Sequence, residues 1–272
     1  MLKITRPSFL HRTLAGSAQA ALVALLPVAA LAQTMVPGQI KVGMEITYPP
    51  FESWQGDKVV GFDPDMAEML GRQMKAKPSF VDTKFPSLIL GLGGGQFDAV
   101  ISGMYITPER TAQADAIGYA RTGASIMVAK DGGVNPKTEQ DLCGLKVGLQ
   151  AGTSWVNALK KLSTDYCVPN GKPAVAVSEF PTAPEASQAL LSKNIQAELE
   201  IAGAAKMMAE RSKARIVISS TALVYPQTLG IYVKKGNTAL YQSLEKALAA
   251  AQASGEYAAL VKKYELEPVA SK

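Results

Sequence analysis

Residues Asp98–Arg110 read DAVISGMYITPER, and the break in the middle of this stretch decides the architecture. Asp98–Ser102 is near-continuously apolar, as a strand covered on both faces should be, and it stops at Gly103. Thr107-Pro108-Glu109 then has the order of a helix start: a hydroxyl to cap free N–H groups, a proline suited to the first position, and a carboxylate at the positive end. Arg110 runs against that order, because a cation at a helix start is mildly unfavourable. A guanidinium just past a strand's carboxyl end has two readings. It is either a fork awaiting an anion, which a carboxylate fits bidentately, or a surface arginine paired with Glu109 or Asp115.

Outward from this stretch, strand-like and helix-like segments alternate, which predicts an α/β fold with parallel sheets. Strands are expected at Gln39–Met44, Pro78–Asp82 and Asp98–Ser102, with helices at Asp63–Met74, at Pro86–Leu92 and from about Thr107. After a strand at Ser125–Lys130 and the sequence Asp131-Gly132-Gly133, the pattern restarts. Strands are expected at Leu145–Leu149, Ala174–Val177, Ala197–Ile201 and Arg215–Ser219, and helices at Thr153–Leu162, Ala183–Leu191 and Ala202–Arg211. Thr228–Lys234 is a strand leading back, followed by helices at Thr238–Ala253 and Glu256–Lys263. This predicts two α/β units with the second inserted in the first: residues 33–125 and 226–272 in one lobe, 126–225 in the other.

Ligands of such sheets sit outside the carboxyl ends of strands. Three further groups lie at such ends. Gly152-Thr153-Ser154 is a strand–glycine–hydroxyl–helix junction, where helix N–H groups receive anions; no lysine follows the glycine, so it is not a P-loop. Tyr48-Pro49-Pro50-Phe51, with Trp54, offers an aromatic wall on a rigid loop, or simply packs that loop down, the more natural role for Phe51. Phe85 is a second wall candidate. Glu45 either forms a local salt bridge or meets a cationic ligand group.

The whole chain bounds what these groups can do. Residues 1–32 carry Lys3, Arg6 and Arg12 with no acid, then an apolar segment interrupted by Pro27, then Ala30-Leu31-Ala32. That is the layout of a secretory signal cleaved after Ala32, and it places the mature protein outside the cytoplasm, in the periplasm, as a soluble chain. The net charge of +5 (28 basic, 23 acidic) falls to +2 once three basic residues leave with the signal. The remaining basic residues are scattered, so no nucleic-acid partner is expected. The signal also takes away the single histidine, His11, which excludes Ser-His and Cys-His nucleophiles and histidine-ligated zinc. Cys143 and Cys167 remain; in an exported protein a disulfide is expected, with two buried thiols as the alternative. No metal site and no cofactor is expected.

The stretches "TYPPFES…GDKVVGFDPDMAEMLGRQM", "KFPSLILGLGGGQFDAVISGMYITPER" and "VGLQAGTSW", with the terminal "LGIYVKKGNTALYQSLEKALAAAQASGEYAALVKKY", resemble the bacterial extracytoplasmic solute-binding proteins of family 3, the polar amino-acid receptors of ABC importers. The resemblance spans essentially the whole mature chain, with Pro64 where an aliphatic residue is usual. It implies a two-lobed, hinged periplasmic-binding-protein fold (type II) that closes on a small amino or carboxylic acid. It also implies delivery to a membrane permease, a monomer, and no enzymatic activity. By the resemblance Arg110 holds the ligand carboxylate, assisted by the backbone at Ser102, Gly103 and Met104 and at Thr153–Ser154, while Tyr48 and Phe85 sandwich the side chain. Glu45 matches a position that is acidic in receptors for lysine, arginine and ornithine.

The chain also departs from the family. The aspartate that usually binds the α-ammonium, in a DAxxxD pattern, falls on Ile201 in Gln196-Ala197-Glu198-Leu199-Glu200-Ile201. Either Glu200 serves after a one-residue adjustment, or the ligand lacks a free primary ammonium. Tyr105 replaces a small hydroxyl residue and Trp155 follows the anion loop, which implies a smaller pocket or a stacked, non-standard ligand. The alternative function is an exported enzyme resembling cyclohexadienyl dehydratases, with Glu198 or Glu200 as general acid; "LQAGTSW" does not match the longer motif of those enzymes.

Overall fold

The computed structural model describes residues 1–3 and 34–270; the expected signal segment therefore lies outside the described residues beyond its first three. In chain order the elements are β1 (Gln39–Met44), β2 (Thr47–Tyr48), β3 (Glu52–Gln55), β4 (Lys58–Val60), α1 (Phe62–Met74), β5 (Lys77–Asp82), α2 (Leu88–Gly93), β6 (Ala99–Val100), α3 (Pro108–Thr111) and β7 (Ala114–Ala129). There follow β8 (Lys146–Gln150), α4 (Ser154–Leu162), β9 (Ala176–Phe180), α5 (Ala183–Leu191), β10 (Ala197–Ile201), α6 (Ala202–Arg211), β11 (Ile216–Ile218), β12 (Val224–Lys234), α7 (Thr238–Ser254) and α8 (Glu256–Lys263).

The strands assemble in the order β5-β1-β6-β12-β7-β10-β8-β9, with β11 also on β7. Each end of this path is a parallel set, β5-β1-β6 at one and β10-β8-β9 at the other. The two sets are joined by β7 and β12, long antiparallel strands that pair with each other and each reach into one set. This is the two-lobed α/β arrangement expected, and the expected joints at 125/126 and 225/226 fall inside the two crossing strands. β12 changes register between Val224 and Gln227, where Tyr225 takes a positive φ of 48°.

Local chemistry explains the elements nearest the cleft. On α1, Phe62, Met66, Met69 and Leu70 recur at helical spacing and all are buried. Thr107 caps α3 by accepting the Arg110 N–H at 3.3 Å, as its sequence predicts. Here the expectation of a continuing helix fails: α3 is four residues long, and the chain turns into the 16-residue β7. Alanine-rich ADAIGYARTGA has no marked period, and only its pairing with β12 selects the strand. The hairpin β2-β3-β4 was also not foreseen. The remaining strands and helices lie within a few residues of their expected places. Cys143 and Cys167 form a disulfide with Cα atoms 5.6 Å apart. Among the described residues no helix is long and apolar enough to cross a membrane.

Candidate functional site

The carboxyl ends of both parallel sets converge on one narrow pocket, with a free volume of about 20 Å³. The loop after β6 enters it because its backbone is stitched to β12: Gly230 N–H donates to Met104 O and Ile106 N–H to Thr228 O, both at 2.8 Å. Gly103, with φ of +54°, makes the turn, and its N–H donates to buried Asp63 at 2.6 Å. A side chain at Gly103 would point at Ile201, whose Cδ1 lies 3.4 Å from an ideal Cβ there.

Because α3 is a single turn, Arg110 folds back into the pocket rather than out into water. Its Nη1 donates to Tyr105 O at 2.7 Å and its Nη2 to Gly152 O at 2.9 Å, so it spans both lobes. The guanidinium lies 5.5 Å from the Phe85 ring centre, a stacking distance at which a ring face attracts a cation. Burial draws its pKa down. Arg110 forms no salt bridge among the described residues; Asp115 pairs with Lys235 instead, at 2.9 Å.

The acids of the pocket come from both lobes. Glu45 is 2% exposed and accepts from Phe85 N–H at 3.2 Å, from Lys84 at 3.4 Å and from the amide of Gln150. Burial raises its pKa, opposed by the Phe85 N–H and by Lys84. Glu200 accepts the Tyr48 hydroxyl at 2.5 Å, and burial pushes its carboxyl up to about 8 against that hydrogen bond. Glu52, which the sequence reading did not single out, accepts from Ser102 Oγ at 2.6 Å. Burial and then the neighbouring Asp63 raise its pKa well above the usual range. Asp63 in turn takes the Tyr119 hydroxyl at 2.6 Å.

Eleven of the thirteen expected ligand-site residues line this pocket: Glu45, Tyr48 and Phe85; Gly103, Tyr105 and Arg110; and Thr153, Ser154, Trp155, Glu200 and Ile201. The other two, Ser102 and Met104, lie just behind it, one hydrogen-bonded to Glu52 and the other packed in the second core cluster with Leu88 and Phe97. Glu52 and Gln150 line it unannounced. Gln150 closes β8 directly before the anion loop, a position that could have flagged it; Glu52 sits in a hairpin whose strands were not read. Phe51 packs down at 1% exposure and Trp54 stays outside, 53% exposed.

The pocket holds most of the structure's unsatisfied buried polar atoms. Of seven such side-chain atoms among the described residues, five line it: Glu52 Oε2, Tyr105 Oη, Ser154 Oγ, Trp155 Nε1 and Glu200 Oε1. Buried polar atoms left without partners are costly and rare. They concentrate beside the Arg110 guanidinium, which has no salt-bridge partner among the described residues. No group of three or more metal-ligating side chains occurs among the described residues.

Two α/β lobes closing over such a pocket define a solute receptor. The family model "Bacterial extracellular solute-binding proteins, family 3" matches residues 40–267, and the chain belongs to this family. It is similar to the ABC transporter arginine-binding protein 1 of Escherichia coli (strain K12), 33% identical over 80% of this chain and 87% of the relative. Among solved structures it resembles an ancestral arginine-binding protein bound to arginine, with a TM-score of 0.75 and 33% identity over 84% of this chain and 98% of the other. It also resembles the ancestral amino acid-binding protein AncCDT-1, a precursor of cyclohexadienyl dehydratase, with a TM-score of 0.72 and 29% identity over 84% and 95%.

Proposed function

We propose that this protein is a periplasmic receptor that captures a free amino acid, or a closely related amino or carboxylic acid, and presents it to the permease of an ABC importer. The observation that carries the reading is Arg110: a half-buried guanidinium with no carboxylate salt bridge among the described residues, reaching from one lobe to Gly152 O of the other. The ligand's α-carboxylate replaces the two carbonyls on Arg110 and meets the amino end of α4, where the first N–H groups of a helix lack partners of their own. Tyr48 and Phe85 flank its side chain, and Glu200 takes its ammonium in place of the aspartate that the family pattern puts at Ile201.

Function follows from closure. The lobes, residues 33–125 with 226–272 and residues 126–225, rotate about β7 and β12. The ligand touches both lobes only in the closed form, so its contacts supply the differential affinity that closes the cleft. The permease reads the closed surface; the receptor acts as a monomer, exported by its cleaved leader, and is not an enzyme. A thermal-shift screen against the standard amino acids and their conjugates, followed by calorimetry, tests this. Stabilisation by at least one amino acid with a micromolar or lower Kd is expected, and a screen without any amino-acid hit would refute it.

One observation favours a second reading. Burial pushes the Glu200 carboxyl up to about 8, the direction a general acid needs, and one structural neighbour is described as the precursor of a dehydratase. Turnover of prephenate by the purified protein would establish this second reading, and its absence removes it.

A further inference from the structure

Glu198 and Glu200 stand two positions apart on β10, so their side chains leave the same face of the strand. They are 0% and 1% exposed. Every element around them is without a paired cation. β7 brings Ser125 opposite Glu200 and Met127 opposite Glu198. Ser187 on α5 donates to both Glu198 oxygens, at 3.0 and 3.1 Å, with Met208 of α6 against the same hydroxyl. Tyr48 on β2 donates to Glu200 Oε2, and Tyr105 faces Glu200 from the other lobe. The pocket's other acids are Glu45 and Glu52. Its lining cation, Arg110, directs its guanidinium to two backbone carbonyls. Lys206 on α6 turns away to Glu265. Glu200 Oε1 is buried, unpartnered and lines the pocket.

A carboxylate in this setting has no cation to balance it, and the nearest acid on its own strand, Glu198, is a second buried carboxyl raised well above the usual range by burial and by Glu200. A carboxylic acid suits it better: Oε2 accepts from Tyr48 and Oε1 carries hydrogen into the pocket. Building on the receptor reading above, we propose that Glu200 carries a proton at neutral pH in the empty, closed cleft, and that the ligand's cationic group docks on Oε1 and displaces that proton to solvent. The charge balances: Glu200 passes from neutral to −1 as the ligand's +1 arrives beside it, and one proton leaves to buffer. Ile201, next on the strand and uncharged, cannot take this part. Capture is therefore coupled to proton release, and a ligand without a cationic group has nothing to exchange. The direction of the Glu200 shift, up to about 8 through burial and against hydrogen bonds from Tyr48 and Glu198, agrees with the geometry.

The test has two readouts. First, the ligand-free full chain, labelled with ¹³C at glutamate Cδ, is titrated by NMR. A glutamate carboxyl protonated at pH 7 that ionises near pH 8 is expected, present in E198Q and lost in E200Q. Its absence from the wild type, or a set of glutamate titrations left unchanged by E200Q, overturns the proposal. Second, L-arginine binding is measured by calorimetry in phosphate and in Tris. Release of about one proton per ligand at pH 7 is expected, with affinity rising about tenfold per pH unit between roughly pH 6 and 8. E200Q should abolish both the release and the pH dependence, and E198Q, which keeps a neutral group beside Glu200, should retain them. Zero release in the wild type, or loss of release in E198Q alone, overturns the exchange. The first readout needs no ligand, so its failure removes this inference alone. A protein that shows the titration but binds no amino acid removes the functional reading and leaves the protonated Glu200 in place.

Discussion

Arg110 shows how much one side chain's direction settles. Its sequence context allowed a partner at Glu109 or Asp115, yet the short α3 turns it inward onto Tyr105 O and Gly152 O. Charge-assisted, bidentate hydrogen bonds to a carboxylate are about twice as strong as neutral ones. Arg110→Ala should weaken amino-acid binding at least 100-fold in a calorimetric titration while the circular dichroism spectrum stays that of the wild type. Affinity within a few-fold of wild type would remove Arg110 from the anion site. Glu200 gives a second expectation at this scale, for the ligand-free protein. Its folded pKa of about 8 lies above the ordinary 4.5, so the folded state holds a proton that the unfolded chain has released. That contribution to stability is whole below about pH 4.5 and is lost as pH rises through about 8, at up to about 1.4 kcal/mol per pH unit. Denaturant unfolding from pH 5 to 8 should therefore show a decline that Glu200→Gln flattens; parallel curves for the two proteins would contradict the buried, neutral acid.

At the scale of elements, the segments with a marked period were readable and those held by distant partners were not. α1, α5, α6 and α8 lie where apolar spacing and flanking residues put them, because a helix closes its hydrogen bonds locally. β7 did not, because Ala114–Ala124 becomes a strand only by pairing with β12 a hundred residues on. The hairpin β2–β4 is short and only partly buried, so alternation was too brief to see, and Glu52 went unread with it. Two element-scale predictions follow from packing. Gly152 has φ of +77°, and a Cβ there would meet Pro86 of the opposite lobe at 2.9 Å. Gly152→Val should keep the cleft from closing: ligand affinity falls about tenfold or more, and small-angle scattering shows no contraction on ligand addition. Contraction equal to wild type would disprove the contact's role. The disulfide joins residues 24 positions apart, a loop whose closure is worth about 3 kcal/mol in the unfolded-state entropy model. Reduction should lower Tm by several degrees, and an unchanged melt with two titratable thiols would count against that contribution.

For the whole molecule, the proposed site lies in the gap between two half-sheets rather than in either one. Arg110–Gly152, Tyr48–Glu200 and Glu45–Gln150 all cross that gap. Each joins a group near the β5-β1-β6 set to one near the β10-β8-β9 set. A ligand entering must replace these bonds with better ones, and the unsatisfied atoms of Tyr105, Ser154, Trp155, Glu52 and Glu200 are where the gain is made.

The sequence alone determined the α/β class, the restart of the pattern that makes two lobes, and most of the residues that meet in the pocket. These are properties of local periodicity, composition and strand ends, which need no knowledge of distant partners. The tertiary structure alone decided that Arg110 turns toward the pocket, that Glu52 and Gln150 line it, and that Glu200 leaves a carboxyl oxygen buried there. Those outcomes depend on burial and on contacts between residues up to 152 positions apart, such as Tyr48 and Glu200. Burial by distant chain, not the identity of a residue, decides whether a carboxyl is a solvated surface charge or a neutral acid waiting for a cation.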